Sequence, residues 1–225
     1  MNKLFIDTAT KTLIVGLYKN DEVIDSTIEL ANRDHSSRLM PAVQVLLQKN
    51  NLALNDLDGI FCSKGPGSYT GVRIGVTVAK TLAWTLNKKL YSISSLKVIA
   101  SKVALKESMF VLPIIDARRG NVFAALYQFD GRRLNERIED GLYNFNDLLE
   151  KVRDEVGNNV TIVGTDVELH TDLLNEFNFK VQTTIDYNNV FKQLNRLDDF
   201  CKVDNVHEFV PNYKRLTEAE RNLKR

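Results

Sequence analysis

Residues 5–18, FIDTATKTLIVGLY, return 109 positions later as residues 114–127, IIDARRGNVFAALY. Ile6-Asp7 aligns with Ile115-Asp116, and Leu17-Tyr18 with Leu126-Tyr127. A repeated opening hairpin constrains the chain to two similar lobes if the elements after it also recur. The first copy reads as three short β-branched strands over residues 3–8, 12–19 and 22–30, separated by the turn-prone TATK and KND, which makes an antiparallel meander. Leu39, Val43, Leu46 and Leu47 then recur at helical spacing, with Pro41 in an early turn. A continuous apolar strand over 58–63, a glycine-rich loop opening a helix to about residue 86, a strand over 89–93 and a helix capped by Ser94 or Ser95 and running to about 106 complete the copy. The second copy gives strands near 111–116, 121–129 and 132–139, a helix around 146–156, a strand over 160–164 and a helix around 166–176. Residues 183–200 carry only a weak amphipathic pattern. The expected fold is a two-lobed α/β duplication, each lobe a mixed sheet with an antiparallel three-strand meander and flanking helices. The lobes span 1–107 and 108–225, the second shorter, eroded and followed by a terminal helix.

The loop that opens the second helix, KGPGSYTGVRIG at 64–75, resembles several catalytic loops and satisfies none of them. A phosphate-binding P-loop needs Gly-Lys before its Ser or Thr, and no window here supplies it. The dinucleotide pattern fails because Thr70 follows Gly65 and Gly67 where a third glycine belongs. A nucleophile elbow fails because Pro66 and Thr70 flank Ser68 where glycines are required. The segment does contain a ladder of small residues, Gly71, Gly75, Ala79 and Ala83, four apart on one helical face. Glycine inside a helix costs about 1 kcal/mol relative to alanine, so the ladder implies a close approach. Two readings stand: packing on the helix's own sheet, or a face kept for a partner protein, with Val72, Val76, Val78 and Leu82 beside it. Backbone amides from Gly65 to Thr70 at the helix start also suggest a weak anion site.

Charge and composition exclude several classes. Thirty basic against twenty-nine acidic residues leave a net charge of +1, so no global field gathers nucleic acid or an anionic membrane. Asp7 and Lys11 interrupt the apolar amino end before a signal core or membrane span forms, and a cytoplasmic location is expected. Cys62 and Cys201 are isolated, and His35, His170 and His207 include no pair at helical metal-ligand spacing, so no metal site is expected. Asp7 and Asp116, with Thr8, Thr10, Arg118 and Arg119 beside them, stand at the first hairpin of each copy. In actins, sugar kinases and heat-shock chaperones these hairpins hold metal and nucleotide phosphates, which suggests an ATPase or kinase. The alternative is that the carboxylates bind turn amides. Residues 214–225, KRLTEAERNLKR, read as a docked terminal helix with a basic face, or as an RNA or partner contact.

GPGSYTGVRIG closely resembles the signature loop of the TsaB (YeaZ) family, and further matches follow in order: IDTAT, HSSRLMP, DLDGI, SSL, DARRGNVFAALY and PNYKR. The resemblance implies a two-lobed actin, sugar-kinase and Hsp70-like fold. It implies a non-catalytic subunit of the bacterial machinery that places threonylcarbamoyl on the adenosine beside the anticodon of tRNAs reading codons that begin with adenine. Its implied partners are a TsaD-like catalytic homologue and a TsaE-like ATPase, with a homodimer when the partner is absent and only indirect tRNA contact. ATP, ADP and metal are expected on those partners, and no tightly bound cofactor on this chain. The family's dimer helices carry over to Ser36, Leu39, Met40, Val43 and Leu47 on the first helix, and to Gly71, Val72, Gly75, Val78, Ala79, Leu82 and Ala83 on the second. Gly65, Pro66, Gly67, Ser68, Tyr69, Thr70 and Arg73 form the motif loop, and Asp7, Thr8, Asp116 and Arg118 mark vestigial nucleotide hairpins. An independent ATPase or kinase of the same fold, or a peptidase of the partner, is the alternative activity. His35 is a candidate cap or interface contact.

Overall fold

The computed structural model describes residues 1–32, 34–183 and 187–214. Strands β1 (Asn2–Asp7), β2 (Thr12–Lys19) and β3 (Glu22–Leu30) form the expected meander. Helix α1 (His35–Lys49), strand β4 (Gly59–Ser63), helix α2 (Tyr69–Thr85), strand β5 (Lys89–Ile93) and helix α3 (Ser95–Ala100) complete the first copy. The second copy comprises β6 (Phe110–Asp116), β7 (Asn121–Phe129), β8 (Leu134–Asn144), α4 (Phe145–Val156), β9 (Val160–Gly164), α5 (Thr171–Phe177), β10 (Lys180–Gln182) and α6 (Tyr187–Arg196), followed by β11 (Cys201–Lys202). Strand order is β3-β2-β1-β4-β5 in one sheet and β8-β7-β6-β9-β10 in the other. In each sheet the first strand pairs antiparallel with the second and parallel with the fourth, so the textual repeat is a topological one.

Three apolar layers hold this arrangement together. Leu4, Ile6, Leu13 and Val15 on one face of the first sheet pack under α1 and α2. Leu112, Ile114, Val122 and Leu126 do the same under α4 and α5. The opposite faces meet in a shared core of Phe5, Ile14, Ile115, Phe123 and Tyr127 with α3 and α6 wedged in, so both central strands are buried on both sides.

The structure departs from the sequence expectations in five places. Helix α3 stops at Ala100 because the Ser101 hydroxyl donates to the Val98 carbonyl at 2.6 Å and competes with further turns. Strand β8 runs on to Asn144, accommodated by register shifts against β7 between Ala124 and Tyr127. The helix expected over 166–176 is a 3-10 turn at Val167–His170 and then α5. The stretch expected to be weak contains α6, whose Phe191 ring sits where a side chain on Gly16 would lie. Finally, β11 pairs antiparallel with β5, so the end of the 108–225 segment returns to the first sheet. The reading of a terminal helix in KRLTEAERNLKR lies, apart from Lys214, outside the described residues.

Candidate protein-binding face and inter-lobe cleft

The glycine-rich loop is occupied by its own chain. After the cis Gly65-Pro66 bond, the Ser68 amide donates to the Ala9 carbonyl at 2.8 Å, and the Ser68 hydroxyl caps α2 by accepting from the Gly71 amide at 3.2 Å. The Gly65 amide donates to the Ser95 hydroxyl at 3.0 Å, and the Asn212 amide to the Lys64 carbonyl at 2.7 Å. Amides suggested as an anion site at Gly65 and Ser68 are therefore already bonded. Gly65 has φ +99°, and the Asn212 carbonyl fills the space a side chain would need, so glycine is required there.

The small-residue ladder faces the first sheet. A Cβ on Gly71 would collide with the Thr8 carbonyl oxygen, and one on Gly75 with the Thr8 hydroxyl. That hydroxyl donates to the Gly71 carbonyl at 2.7 Å and fastens helix to strand. Ala79 and Ala83 are buried in the same layer. This corrects the partner reading of the ladder. Leu39, Val43, Leu47, Val72 and Leu82 are buried as well, and of the twelve expected interface residues only Ser36, Met40 and Val78 keep substantial exposure. The reason is geometric: the strongest 3.6-residue stripe marks the face a helix turns to its own core.

The side that remains open is the next stripe round. On α1 it presents Ser36, Met40 (37% exposed), Pro41, Gln44 and Gln48. A groove of about 540 Å³ runs beside Met40, Pro41 and Gln44, floored by Val43 and Leu47 and closed by Leu52 and Leu54. On α2 the half-buried Ile74 and Val78 adjoin exposed Thr70, Thr77 and Thr81. Residues 203–214 form a strap along α2. The Lys80 ammonium holds it by donating to the His207 and Phe209 carbonyls at 3.0 and 2.6 Å, Trp84 meets His207 edge-on at 5.4 Å, and Tyr213 stacks on Tyr69 at 4.6 Å with Arg73 over the Tyr69 ring.

The cleft between the lobes contains the two hairpin carboxylates in different settings. Asp7 is buried; its Oδ1 accepts from the Ala9 amide at 2.9 Å and from the Ser63 hydroxyl at 2.5 Å, which is the turn-forming role. Asp116 instead lies 3.2 Å from His170 Nε2. Arg118 and Arg119 are exposed at positive φ, their carbonyls held by the Asn121 amide group. His35, the first residue of α1, is buried; burial pushes its imidazole below the usual histidine range, and the Asp7 charge opposes that shift. Lys11 bridges to Asp166 of the other lobe at 3.1 Å.

Sequence reasoning missed Lys102. Its ammonium is buried between the lobes, where desolvation lowers its pKa to about 8 while the Asp7 and Asp166 charges raise it. No spacing rule marks it, since it lies in a stretch that reads as helix. The buried set Tyr127–Asp140–Ser94, in which both hydroxyls donate to the Asp140 carboxylate, was also illegible apart from the Ser94 cap, and it ties α3 to the second sheet. Among the described residues no group of histidine, cysteine and acidic side chains is arranged to hold a metal, and no helix is long and apolar enough to cross a membrane.

Comparison with known proteins agrees with this geometry. The model of the family described as "TsaD: tRNA N6-adenosine threonylcarbamoyltransferase" matches residues 21–223. The chain is 40% identical over 224 residues to the tRNA threonylcarbamoyladenosine biosynthesis protein TsaB of Bacillus subtilis, covering 98% of this chain and 96% of that one. Its fold resembles that of a Pseudomonas aeruginosa protein described as similar to peptidase YeaZ, with a TM-score of 0.77 at 24% identity over 95% of this chain and 99% of that one. It also resembles the activator of the 2-hydroxyisocaproyl-CoA dehydratase from Clostridium difficile, with a TM-score of 0.51 at 13% identity over 87% and 92%. With a near full-length relative at 40% identity and the duplicated actin-like lobes in place, the chain belongs to the TsaB (YeaZ) family.

Proposed function

We propose that this chain acts in tRNA threonylcarbamoyladenosine biosynthesis as a non-catalytic subunit that docks a TsaD-like catalytic homologue through the open stripe of α1 and α2. The observation that carries this reading is the exposed Met40 and Pro41 beside the apolar groove on α1, with the half-buried Ile74 and Val78 of α2 packed on the core that the two helices share. An apolar stripe on two packed helices is the surface a matching helix pair buries, giving a four-helix contact. The same stripe pairs with itself in a homodimer when the partner is absent. A TsaE-like ATPase joins the pair, the metal and the ATP or ADP reside on those partners, and tRNA is reached through the complex in the cytoplasm. Lack of a nucleotide on this chain is supported at the first hairpin, where Asp7 and Thr8 are buried and committed to the chain's own groups.

The test is reconstitution with the catalytic homologue. Met40→Glu combined with Gln44→Arg places charges on the open stripe while leaving the core stripe intact. Heterodimer formation, read by size-exclusion chromatography with light scattering, is expected to be lost together with tRNA modification. Retention of both by a folded double variant overturns the assignment of this face.

A further inference from the structure

A second cavity lies on the opposite face of the first sheet, away from both the α1 groove and the inter-lobe hairpins. Its volume is about 380 Å³, within the range of small-molecule sites. Phe61 and Tyr91 stack at 4.5 Å and 10° and form one wall; Phe200 meets Phe61 edge-on at 5.1 Å and Phe5 at 6.1 Å. The last turn of α6 and the segment after it, Leu194 to Phe200, make the roof. A cluster of rings packed for stability alone would close on itself, because surfaces facing a void lose their dispersion partners. Here it stays open, with polar groups at its mouth.

The two cations at that mouth are engaged differently. Lys3 and Arg133 line it together with one carboxylate, Asp198, and a second carboxylate, Asp21, pairs with Lys3 from beside the mouth. The Lys3 ammonium uses one N–H on Asp21 and stands 5.6 Å over the Phe61 ring, at the boundary of apolar wall and solvent. No salt bridge engages the Arg133 guanidinium among the described residues. We infer that this cavity is a binding site for a planar aromatic molecule bearing a single negative charge, its ring against Phe61 and Tyr91 and its anionic group toward Lys3 and Arg133. The rings supply edge and face contacts suited to a flat apolar body, and the two cations select the anion.

The probe is 8-anilinonaphthalene-1-sulfonate, with the uncharged N-phenyl-1-naphthylamine as its neutral counterpart, both titrated by fluorescence into the full chain. Saturable binding of the sulfonate is expected. Lys3→Met/Arg133→Met should weaken it at least fivefold and leave the neutral compound unchanged. Asn195→Trp, which blocks the mouth, should weaken both at least tenfold, whereas Gln44→Trp in the α1 groove should weaken neither. Nuclear Overhauser contacts from the probe to the Tyr91 and Phe200 rings of the wild-type protein make the test independent of any variant's folding. The proposal is overturned if the sulfonate does not saturate, if the charge variant binds it as wild type does, if only Gln44→Trp abolishes binding, or if the contacts map to Met40 instead.

Discussion

Replacing Gly71 by alanine sets two effects of opposite sign against each other. Glycine to alanine inside a helix ordinarily stabilises by about 1 kcal/mol. At Gly71, however, the new Cβ would lie inside the Thr8 carbonyl oxygen's van der Waals envelope and 3.2 Å from Ser68 Cβ. The oxygen belongs to the backbone of the buried hairpin and cannot rotate away, so α2 must retreat. Retreat stretches the Thr8 hydroxyl bond to the Gly71 carbonyl, now 2.7 Å, and the Ser68 cap, now 3.2 Å. Overpacking costs about 1–3 kcal/mol, and the bond and the cap about 1 kcal/mol each. Against the propensity gain the net expectation is a loss of about 2–4 kcal/mol, lowering Tm by about 4–16 °C for a chain of this size. Gly75→Ala supplies the internal control, because its Cβ meets the Thr8 hydroxyl and not backbone. Thr8→Ala should therefore remove the clash of Gly75→Ala in a double-mutant cycle, and spare Gly71→Ala only about 1 kcal/mol, that of the stretched hydroxyl bond, leaving its backbone clash in place. Urea denaturation followed by far-UV circular dichroism reads wild type and the five variants. A Gly71→Ala variant as stable as wild type, or one relieved in full by Thr8→Ala, would refute the assignment of the ladder to the chain's own sheet.

Lys102→Met should stabilise the protein at pH 7. The folded pKa of Lys102, about 8, lies below its unfolded value of 10.5, so the cost of burying the charge is fully present below pH 8 and disappears as pH rises to 10.5. The advantage of the variant over wild type should fall by on the order of 3 kcal/mol across that window in denaturation at several pH values; a pH-independent difference would contradict it. Tyr127→Phe removes one donor from the buried Asp140 carboxylate and leaves only Ser94. A loss of about 1–3 kcal/mol is expected in urea denaturation at pH 7, and an unchanged midpoint would show that the hydroxyl contributes nothing.

The repeat was legible because hairpin residues such as Ile6-Asp7 and Ile115-Asp116 occupy equivalent strand ends, where alternation and burial restrict the choice of side chain. Helices α1 and α2 were legible for the same reason, since periodicity reports the buried face. That also bears on the expected interface residues. A pattern marking Leu39, Val43, Gly71 and Ala79 says that something approaches closely, and only three-dimensional packing says that the neighbour is β1 and the surrounding core. Helix α6 carried a weak signal because it packs through a few residues, Phe191 and Leu194 among them, against a surface whose key feature is the absent side chain of Gly16. Lys102 had no signal at all: a buried charge is tolerated by its surroundings, Asp7 and Asp166, which lie far from it in sequence.

Proteins of this two-lobed architecture that bind nucleotides in the cleft work by opening and closing it, and the contacts across this cleft bear on whether that motion is available. Lys11 pairs with Asp166 at the mouth, and Ser94 of one copy donates to Asp140 of the other. The Lys97 ammonium meets Asp199 at 2.6 Å with both groups largely buried, and Phe191 of α6 is seated on Gly16 while β11 extends the first sheet. Each link joins a segment of one copy to the sheet of the other, so opening would break several buried contacts together instead of bending a single hinge. Breaking one buried ion pair by separating its partners costs several kcal/mol; the set would exceed what one small ligand's differential affinity supplies. The spacing of α1 and α2 is fixed separately, by the core that both helices share over the first sheet. The docking proposed for that face uses this spacing, whereas a cycle of lobe closure would have to break the cross-lobe set.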